Sequence, residues 1–370
     1  MTADPTHTRL ICIPRVLEVG AGALHRVADL LRRADFPLAS VMVVCGEGPS
    51  HRFATVVAEA IEERGGHASI RSGFLGSHGE ARVLGDLAEA MGVTLFIAVG
   101  GGRVIDIAKL AALHAGLDVV SVPTSIANDG VCSPIASLKD ATGTNRSTAS
   151  RMPAAVILDT DVAASAPVQT IRAGLGDLLS NLTALKDWQL ADRRDHDSYD
   201  GYAALIAEGA ARPLLAAPGV QARETIEMLA KGLILSGLAM ATSGTSRPCS
   251  GAEHLISHSL DLLLGRRARL HGEQVALGTI VACEAHGYLR DEMREVFGRC
   301  GLPTNPSHLG LPPATLVQAV LDAPSTRPDR YTVLDEVVGS PEAVRDLLMR
   351  AFPQSAHEFT LEGLDEHIGS

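Results

Sequence analysis

The chain has 370 residues, 20% of them charged, with a formal net charge of −11. That acidic balance argues against a nucleic-acid partner, and the length exceeds what one compact core usually holds, so two domains are expected. Hydrophobic residues make up 46% but aromatics only 3%, so the core has to be built from Ala, Val, Leu and Ile.

The first half alternates short apolar runs with amphipathic ones. Residues 41–45 (Val-Met-Val-Val-Cys) read as a buried strand that stops at Gly46. Residues 51–64 have helical spacing, with Phe53, Val56, Val57, Ala60 and Ile61 on one side. A strand over 68–73, a helix over 81–91, a strand over 95–99, a helix over 104–115 and strands over 119–122 and 155–158 follow. Such alternation implies a mostly parallel, Rossmann-like sheet covered on both faces. After about Asp161 the character changes to long Ala/Leu-rich runs. Helices are expected over 171–193, 199–217, 223–241, 254–264, 271–290 and 292–300. The expected division is therefore an α/β dinucleotide-binding domain over 1–161 and an all-α metal- and substrate-binding domain over 162–370. Residues 362–370 are expected to fray.

Between the strand at 95–99 and the next helix stand Gly100, Gly101 and Gly102, then Arg103, Val104 and Asp106. Glycines let a backbone approach a pyrophosphate without a side chain in the way, and a helix N-terminus offers free N–H groups. The spacing is not Gly-x-Gly-x-x-Gly, and a plain strand-to-helix turn is the competing reading. The stretch from Thr124 and Ser125 to Gly130 follows the next strand, so both loops should open on the same sheet edge, where ligands bind in open α/β folds. Glu47, just past the strand ending at Cys45, is placed to accept from an adenosine ribose and to repel a 2′-phosphate, which favours NAD over NADP. A solvated loop acid is the plain alternative.

The chemistry-bearing stretch is Ser246 to His258, followed by His271-Gly-Glu-Gln. His254 and His258 are four apart, one turn apart on one helix face. His271 begins another helix-like run, and Asp177 stands at the start of a run farther upstream. One Asp and two His suit a divalent metal with a position open for water or substrate. Taken singly, each residue reads equally as a core histidine or a helix cap.

Together these segments resemble the sn-glycerol-1-phosphate dehydrogenases, a group within the iron-containing alcohol dehydrogenase and dehydroquinate synthase-like superfamily. The resemblance is carried by Gly100-Gly-Gly-Arg-Val-Ile-Asp-Ile-Ala-Lys109, Val122-Pro-Thr-Ser-Ile-Ala-Asn-Asp-Gly130, Gly176-Asp-Leu-Leu-Ser-Asn181, Ser250-Gly-Ala-Glu-His254 and His271-Gly-Glu-Gln274, in order over roughly residues 15–300. It implies Asp177, His254 and His271 as metal ligands. It also implies Gly101, Gly102, Asp106, Thr124, Ser125 and Ser133 as dinucleotide contacts, and Asp129 and His258, with Asp177, as the catalytic residues facing the substrate. The metal, zinc or ferrous iron, would act as a Lewis acid while NAD or NADP exchanges hydride with a small, phosphorylated ketone or alcohol. The family commonly carries His where this chain has Asn128, beside the substrate position.

Rival readings are a dehydrogenase of the same fold acting on another polyol, a redox-neutral sugar-phosphate cyclase, and a silent nucleotide-binding protein. The cyclase chemistry needs extra lysines, and the helical half has only Lys186 and Lys231. For a substrate phosphate, Arg146, Arg151, Arg266, Arg267 and Arg269 are candidates by charge alone. The polar start over residues 1–8 does not read as a signal peptide, and no segment reads as an uninterrupted membrane span. Six scattered cysteines without Cys-x-x-Cys read as reduced thiols in a cytoplasmic protein. The partner expected is a small molecule, with neither nucleic acid nor membrane insertion; homo-oligomerisation is compatible with all of this.

Overall fold

The computed structural model describes residues 11–140 and 145–360, so the expected frayed end at 362–370 lies outside the described residues. Six strands form one parallel sheet in the order β1-β8-β5-β4-β2-β3: β1 (Val16–Gly20), β2 (Val41–Cys45), β3 (Ala68–Arg71), β4 (Leu95–Gly100), β5 (Asp118–Pro123) and β8 (Ala155–Asp159). Helices α1 (Val27–Arg33), α2 (Pro49–Glu62), α3 (His78–Ala90) and α4 (Gly102–His114) connect them. Alternate residues serve opposite faces. Val41, Val43, Cys45, Leu95, Ile97 and Val99 pack with α1 and α2, whereas Met42, Val44, Phe96 and Ala98 pack with α3 and α4. Both faces are covered, which is why the strands read as unbroken apolar runs.

The strand at Val16–Gly20 was not expected from sequence; it is short and only partly buried. Nor was the antiparallel hairpin of β6 (Ile135–Lys139) and β7 (Asn145–Ala149), whose residues are largely polar. Backbone pairing makes these elements, and apolar patterning does not announce them.

After β8 the chain is helical among the described residues: α5 (Thr160–Ala164), α6 (Val168–Leu179), α7 (Asn181–Arg193), α8 (Gly201–Ala211), α9 (Arg223–Ser243), α10 (Ala252–Leu264), α11 (His271–His286), α12 (Arg290–Cys300), α13 (Pro313–Thr326), α14 (Leu334–Val337) and α15 (Pro341–Ala351). The single helix expected over 171–193 is two. Ser180 Oγ donates to the carbonyl of Asp177 at 2.6 Å, the kind of back-bonding that bends a helix. The run expected over 199–217 ends earlier as an α-helix, because Pro213 lacks the N–H and the backbone tightens into a 3₁₀ turn. The run expected over 271–290 stops at Gly287, which sits in the left-handed region as a C-terminal cap.

Among the described residues α9 is long and apolar enough to cross a membrane by length and composition, but 61% of that window is buried inside the fold. It runs beneath the site, where a Cβ at Gly237 would meet the backbone of Cys132 at 2.6 Å. All six cysteines are free.

Candidate active site

Three helices meet where the site residues gather. The meeting of α6 and α11 depends on two glycines: a Cβ on Gly176 would overlap the carbonyl of Gly272, and one on Gly272 the carbonyl of Ala173. This close approach sets Asp177, the neighbour of Gly176, beside His271, the neighbour of Gly272. Gln274 joins α11 to α10 by donating to Asp261 Oδ1 (2.9 Å) and Ser257 Oγ (3.2 Å). The motif His271-Gly-Glu-Gln274 is therefore largely a device for docking helices.

Asp177 Oδ1 lies 3.5 Å from His254 Nε2 and 3.6 Å from His271 Nε2. The three donor atoms lie within 4.8 Å of one another. A tetrahedral ion about 2.1 Å from each ligand separates its ligands by about 3.4 Å, so the set fits a metal of the zinc kind. Asp177 is not at a helix start, as the sequence reading had it; it stands near the C-terminal end of α6. His258 is one turn farther along α10, its ring centroid 6.4 Å from that of His254 and 6.3 Å from that of His271. It stands outside the three-donor grouping.

The far side of each imidazole is also held. His254 Nδ1 is 3.0 Å from Glu253 Oε1, and Glu253 is fully buried. Glu253 accepts further from the Gly251 N–H (2.6 Å) and from Thr183 Oγ1 (3.0 Å). His271 Nδ1 is 3.2 Å from Ser257 Oγ. Partners of this kind fix ring orientation and leave Nε2 facing the metal position. Burial opposes charge on His254, but Asp177 and Glu253 outweigh it and lift the imidazole to about 9. Burial, reinforced by His254, lowers His271. His258 is pushed well below its usual range by burial, then by His271, His254, Arg327 and Arg330.

Asp129 reaches the same centre from the α/β side. Its N–H donates to Asp177 Oδ2 at 3.1 Å, and its Oδ2 accepts from Ser236 Oγ at 3.1 Å. Asn181 Nδ2 in turn donates to Ser236 Oγ at 3.2 Å. Burial, and then the charge of Asp177, push the Asp129 carboxyl up to about 7. Ser236 escaped the sequence reading, since a serine in an Ala/Leu-rich helix carries no signal of its own. Asn128 caps the turn it begins, accepting from the Gly130 N–H at 3.0 Å, and lies against Gly102.

The glycine turn and the loop after β5 lie side by side. Gly100 and Pro123 are in register, and the Thr124 N–H donates to the Gly100 carbonyl at 2.9 Å. A Cβ on Gly101 would meet Ser125 Oγ at 2.9 Å. The connections after β2 and β4 diverge to opposite sides of the sheet, which opens the crevice typical of nucleotide sites. Exposed Glu47 stands at that edge next to Gly73, and exposed Arg103 covers Gly76. Val104 faces inward and packs on Gly100.

Asp106 and Ser133 also turn inward. Asp106 pairs with Lys109 Nζ at 2.7 Å and accepts from the Ser137 N–H at 3.0 Å. The Lys109 ammonium, fully buried, donates to the carbonyls of Gly130 (2.9 Å) and Ser133 (3.2 Å), and Ser133 Oγ donates to the carbonyl of Ile135. This pair pins the whole loop over 129–137. Lys109→Met takes the ammonium from a buried carboxylate and from three carbonyls, those of Gly130, Ser133 and Ile135. The expected cost is about 3–5 kcal/mol, read as a lowered urea midpoint; an unchanged midpoint would show that the pair does not hold the loop.

Three of the five arginines proposed by charge are otherwise engaged. Arg146 pairs with Asp140, Arg151 with Asp118, and Arg269 Nε donates to the carbonyl of Leu309. Arg266 and Arg267 are exposed. Arg327 and Arg330, whose charges act on His258, were not among the sequence candidates, nor was Arg247 beside them.

Comparisons with known proteins agree with this architecture. The family model for iron-containing alcohol dehydrogenases matches residues 18–167. The chain is 37% identical over 333 residues to a glycerol-1-phosphate dehydrogenase [NAD(P)+] of Hyperthermus butylicus, covering 88% of this chain and 93% of that protein. It is 35% identical over 338 residues to the protein of the same name from Methanosarcina acetivorans, covering 90% and 94%. Among solved structures, glycerol dehydrogenase of Schizosaccharomyces pombe superposes with a TM-score of 0.74 at 21% identity, covering 96% of this chain and 92% of that one. A probable glycerol dehydrogenase from Sinorhizobium meliloti gives 0.72 at 24% identity, covering 94% and 99%. These structures show the shared fold: a parallel-sheet α/β part followed by a helical part. With relatives this similar over nearly their whole length, the chain belongs to the glycerol-1-phosphate dehydrogenase family.

Proposed function

We propose that this chain is a metal-dependent, NAD(P)-linked dehydrogenase that interconverts dihydroxyacetone phosphate and sn-glycerol 1-phosphate. The observation that carries the reading is the convergence of Asp177 Oδ1, His254 Nε2 and His271 Nε2 beside Asp129 and His258. It is joined by relatives of 35–37% identity whose names state the activity.

Residues 1–161 serve as the dinucleotide-binding domain and 162–370 as the metal- and substrate-binding domain. Asp177, His254 and His271 hold a divalent ion, zinc or ferrous iron, which when bound supplies Lewis-acid polarisation of the substrate oxygen. Asp129 and His258 face the substrate, and His258, held uncharged by its surroundings, relays the proton of the alcohol. The N–H groups at Gly100–Gly102 and the start of α4 receive the pyrophosphate, with Arg103, Thr124 and Ser125 lining the crevice. Val104, Asp106 and Ser133 act through the loops they hold. Glu47 binds a ribose hydroxyl and favours NAD. Free cysteines fit a reducing, cytoplasmic setting.

Glu253 tests the support beneath the metal. Glu253→Gln weakens the carboxylate that orients His254, and zinc affinity is expected to fall about 10- to 100-fold. Competition against a fluorescent chelator reads this; unchanged affinity would remove Glu253 from the assignment. The function itself is tested by following absorbance of reduced nicotinamide with zinc-loaded protein and dihydroxyacetone phosphate. Expected is chelator-sensitive oxidation, faster with NADH than with NADPH. No oxidation by protein that has bound metal and nucleotide would end the reading, and a preference for NADPH would end the role of Glu47.

A further inference from the structure

Three arginines from two separate loops converge at one end of α10. Arg330, only 7% exposed, donates to the carbonyl of Ser250 and, through Nη2, to Ser246 Oγ at 2.8 Å. Arg327 Nη1 is 3.4 Å from the same hydroxyl. Arg247, 3% exposed, donates to Asp197 Oδ2 at 2.7 Å and to the carbonyl of Tyr331 at 2.8 Å. Among the described residues, Asp197 is the one carboxylate ion-paired with any of the three. Arg330 Nε and Arg247 Nη2 are buried and, among the described residues, have no hydrogen-bond partner.

Three guanidinium groups share one directly paired carboxylate, with Asp329 and Glu253 offsetting Arg330 from farther off, and the two buried N–H groups left unpaired have unspent capacity for an anion. Burial, then Arg327 and Arg247, draw Arg330 down to about 9. A dianion among these groups would reverse that repulsion. Planar guanidinium forks match phosphate oxygens better than any other side chain.

The position suits the site. Ser250 and Gly251 lead into α10, and His254 stands in its first turn. Arg327 and Arg330 also stand near enough to His258, one turn beyond His254, for their charges to act on it. A short phosphorylated substrate has two ends to hold, an oxygen at the three-donor centre and a phosphate at the arginines. α13 packs along α10 and delivers Arg327 directly after its last residue, Thr326.

We propose that Arg327, Arg330 and Arg247, with the hydroxyl of Ser246, form the subsite for the phosphate of a short phosphorylated ketone or alcohol. The inference rests on the proposed function for the other end of the substrate, the oxygen at the Asp177–His254–His271 centre. The competing role is structural: the arginines tie the loop at 246–250 to that at 327–331. A tie affects folding and leaves selectivity for a phosphate untouched.

The test uses the full zinc-loaded chain with reduced nicotinamide. For wild type, Arg327→Met and Arg327→Lys, kcat/KM is measured with dihydroxyacetone phosphate and with dihydroxyacetone, and inorganic phosphate is titrated calorimetrically. Arg327 is half-buried and so the least disruptive of the three to replace. In Arg327→Met the selectivity for the phosphorylated substrate is expected to fall about 10- to 100-fold, the scale of one charge-assisted hydrogen bond, mainly through KM. Phosphate affinity falls with it, and Arg327→Lys lies between. If Arg327→Met does not fold, the lysine variant decides on the same ratio. Turnover of dihydroxyacetone phosphate with both selectivity and phosphate affinity unchanged in the variants would overturn the subsite and leave the proposed function standing. No turnover by wild type, with phosphate bound by wild type and lost in Arg327→Met, would end the proposed function and keep the subsite. No turnover and no phosphate binding would end both.

Discussion

His271→Ala is expected to lose its bound metal and at least about 10³-fold in kcat while the fold survives. The argument is local. His271 stands at the first position of α11, its side chain is 35% exposed, and it faces Asp177, Ser257 and the rings of His254 and His258. Removing it opens no deep cavity, so stability should change by no more than about 1 kcal/mol. It does remove one of three donors, and a pair of ligands does not hold a divalent ion against a chelator. His258→Ala gives the informative contrast. His258 is outside the three-donor grouping, so its removal should leave zinc content intact and lower turnover. Zinc per chain after dialysis, circular dichroism and turnover separate the two. Full activity in His271→Ala would sink the metal assignment, and loss of zinc in His258→Ala would redraw the ligand set.

Much of this was legible in the chain because the sheet is buried on both faces. The runs at 41–45 and 95–99 carry no polar interruption, and the glycines at 100–102 mark where β4 yields to α4. The histidines were legible because a four-residue spacing places two side chains on one helix face whatever the surroundings. What depended on distant partners was not. That Asp177 sits late in its helix follows from where α6 begins, and Pro167 and Val168 gave no cap signal. That Asp106 and Ser133 both meet the buried Lys109, 24 residues from Ser133, is a pairing no motif announces. Arg327 and Arg330 lie beyond the matching motifs, after a helix that opens on Pro312 and Pro313 and contains Pro324, so the periodicity there was masked.

The role of Gly272 was equally hidden, and it yields the other large expected effect. In sequence it is a glycine in the first turn of a helix, where glycine is usually a liability of about 1 kcal/mol. In the fold, a Cβ there would come within 2.8 Å of Ala173 Cα and closer still to its carbonyl, all of it backbone. Backbone cannot rotate aside as a flexible side chain does, so Gly272→Ala must separate α6 from α11. Overpacking of this kind costs about 1–3 kcal/mol. The separation also acts on the site, since Asp177 and His271 are the immediate neighbours of the contacting glycines and now stand 3.6 Å apart. Zinc affinity is therefore expected to fall more than about 100-fold, beyond the range for a lost supporting hydrogen bond. Gly298→Ala is the control: it is helical, with nothing within 4 Å of the added Cβ, so stability should rise by about 0.5–1 kcal/mol with zinc affinity unchanged. Melting temperature and chelator competition on the two variants decide the matter. If Gly272→Ala binds zinc as wild type does, the glycine contact does not set the ligand spacing, and the hydrogen bonds to Asp177, His254 and His271 suffice to hold it.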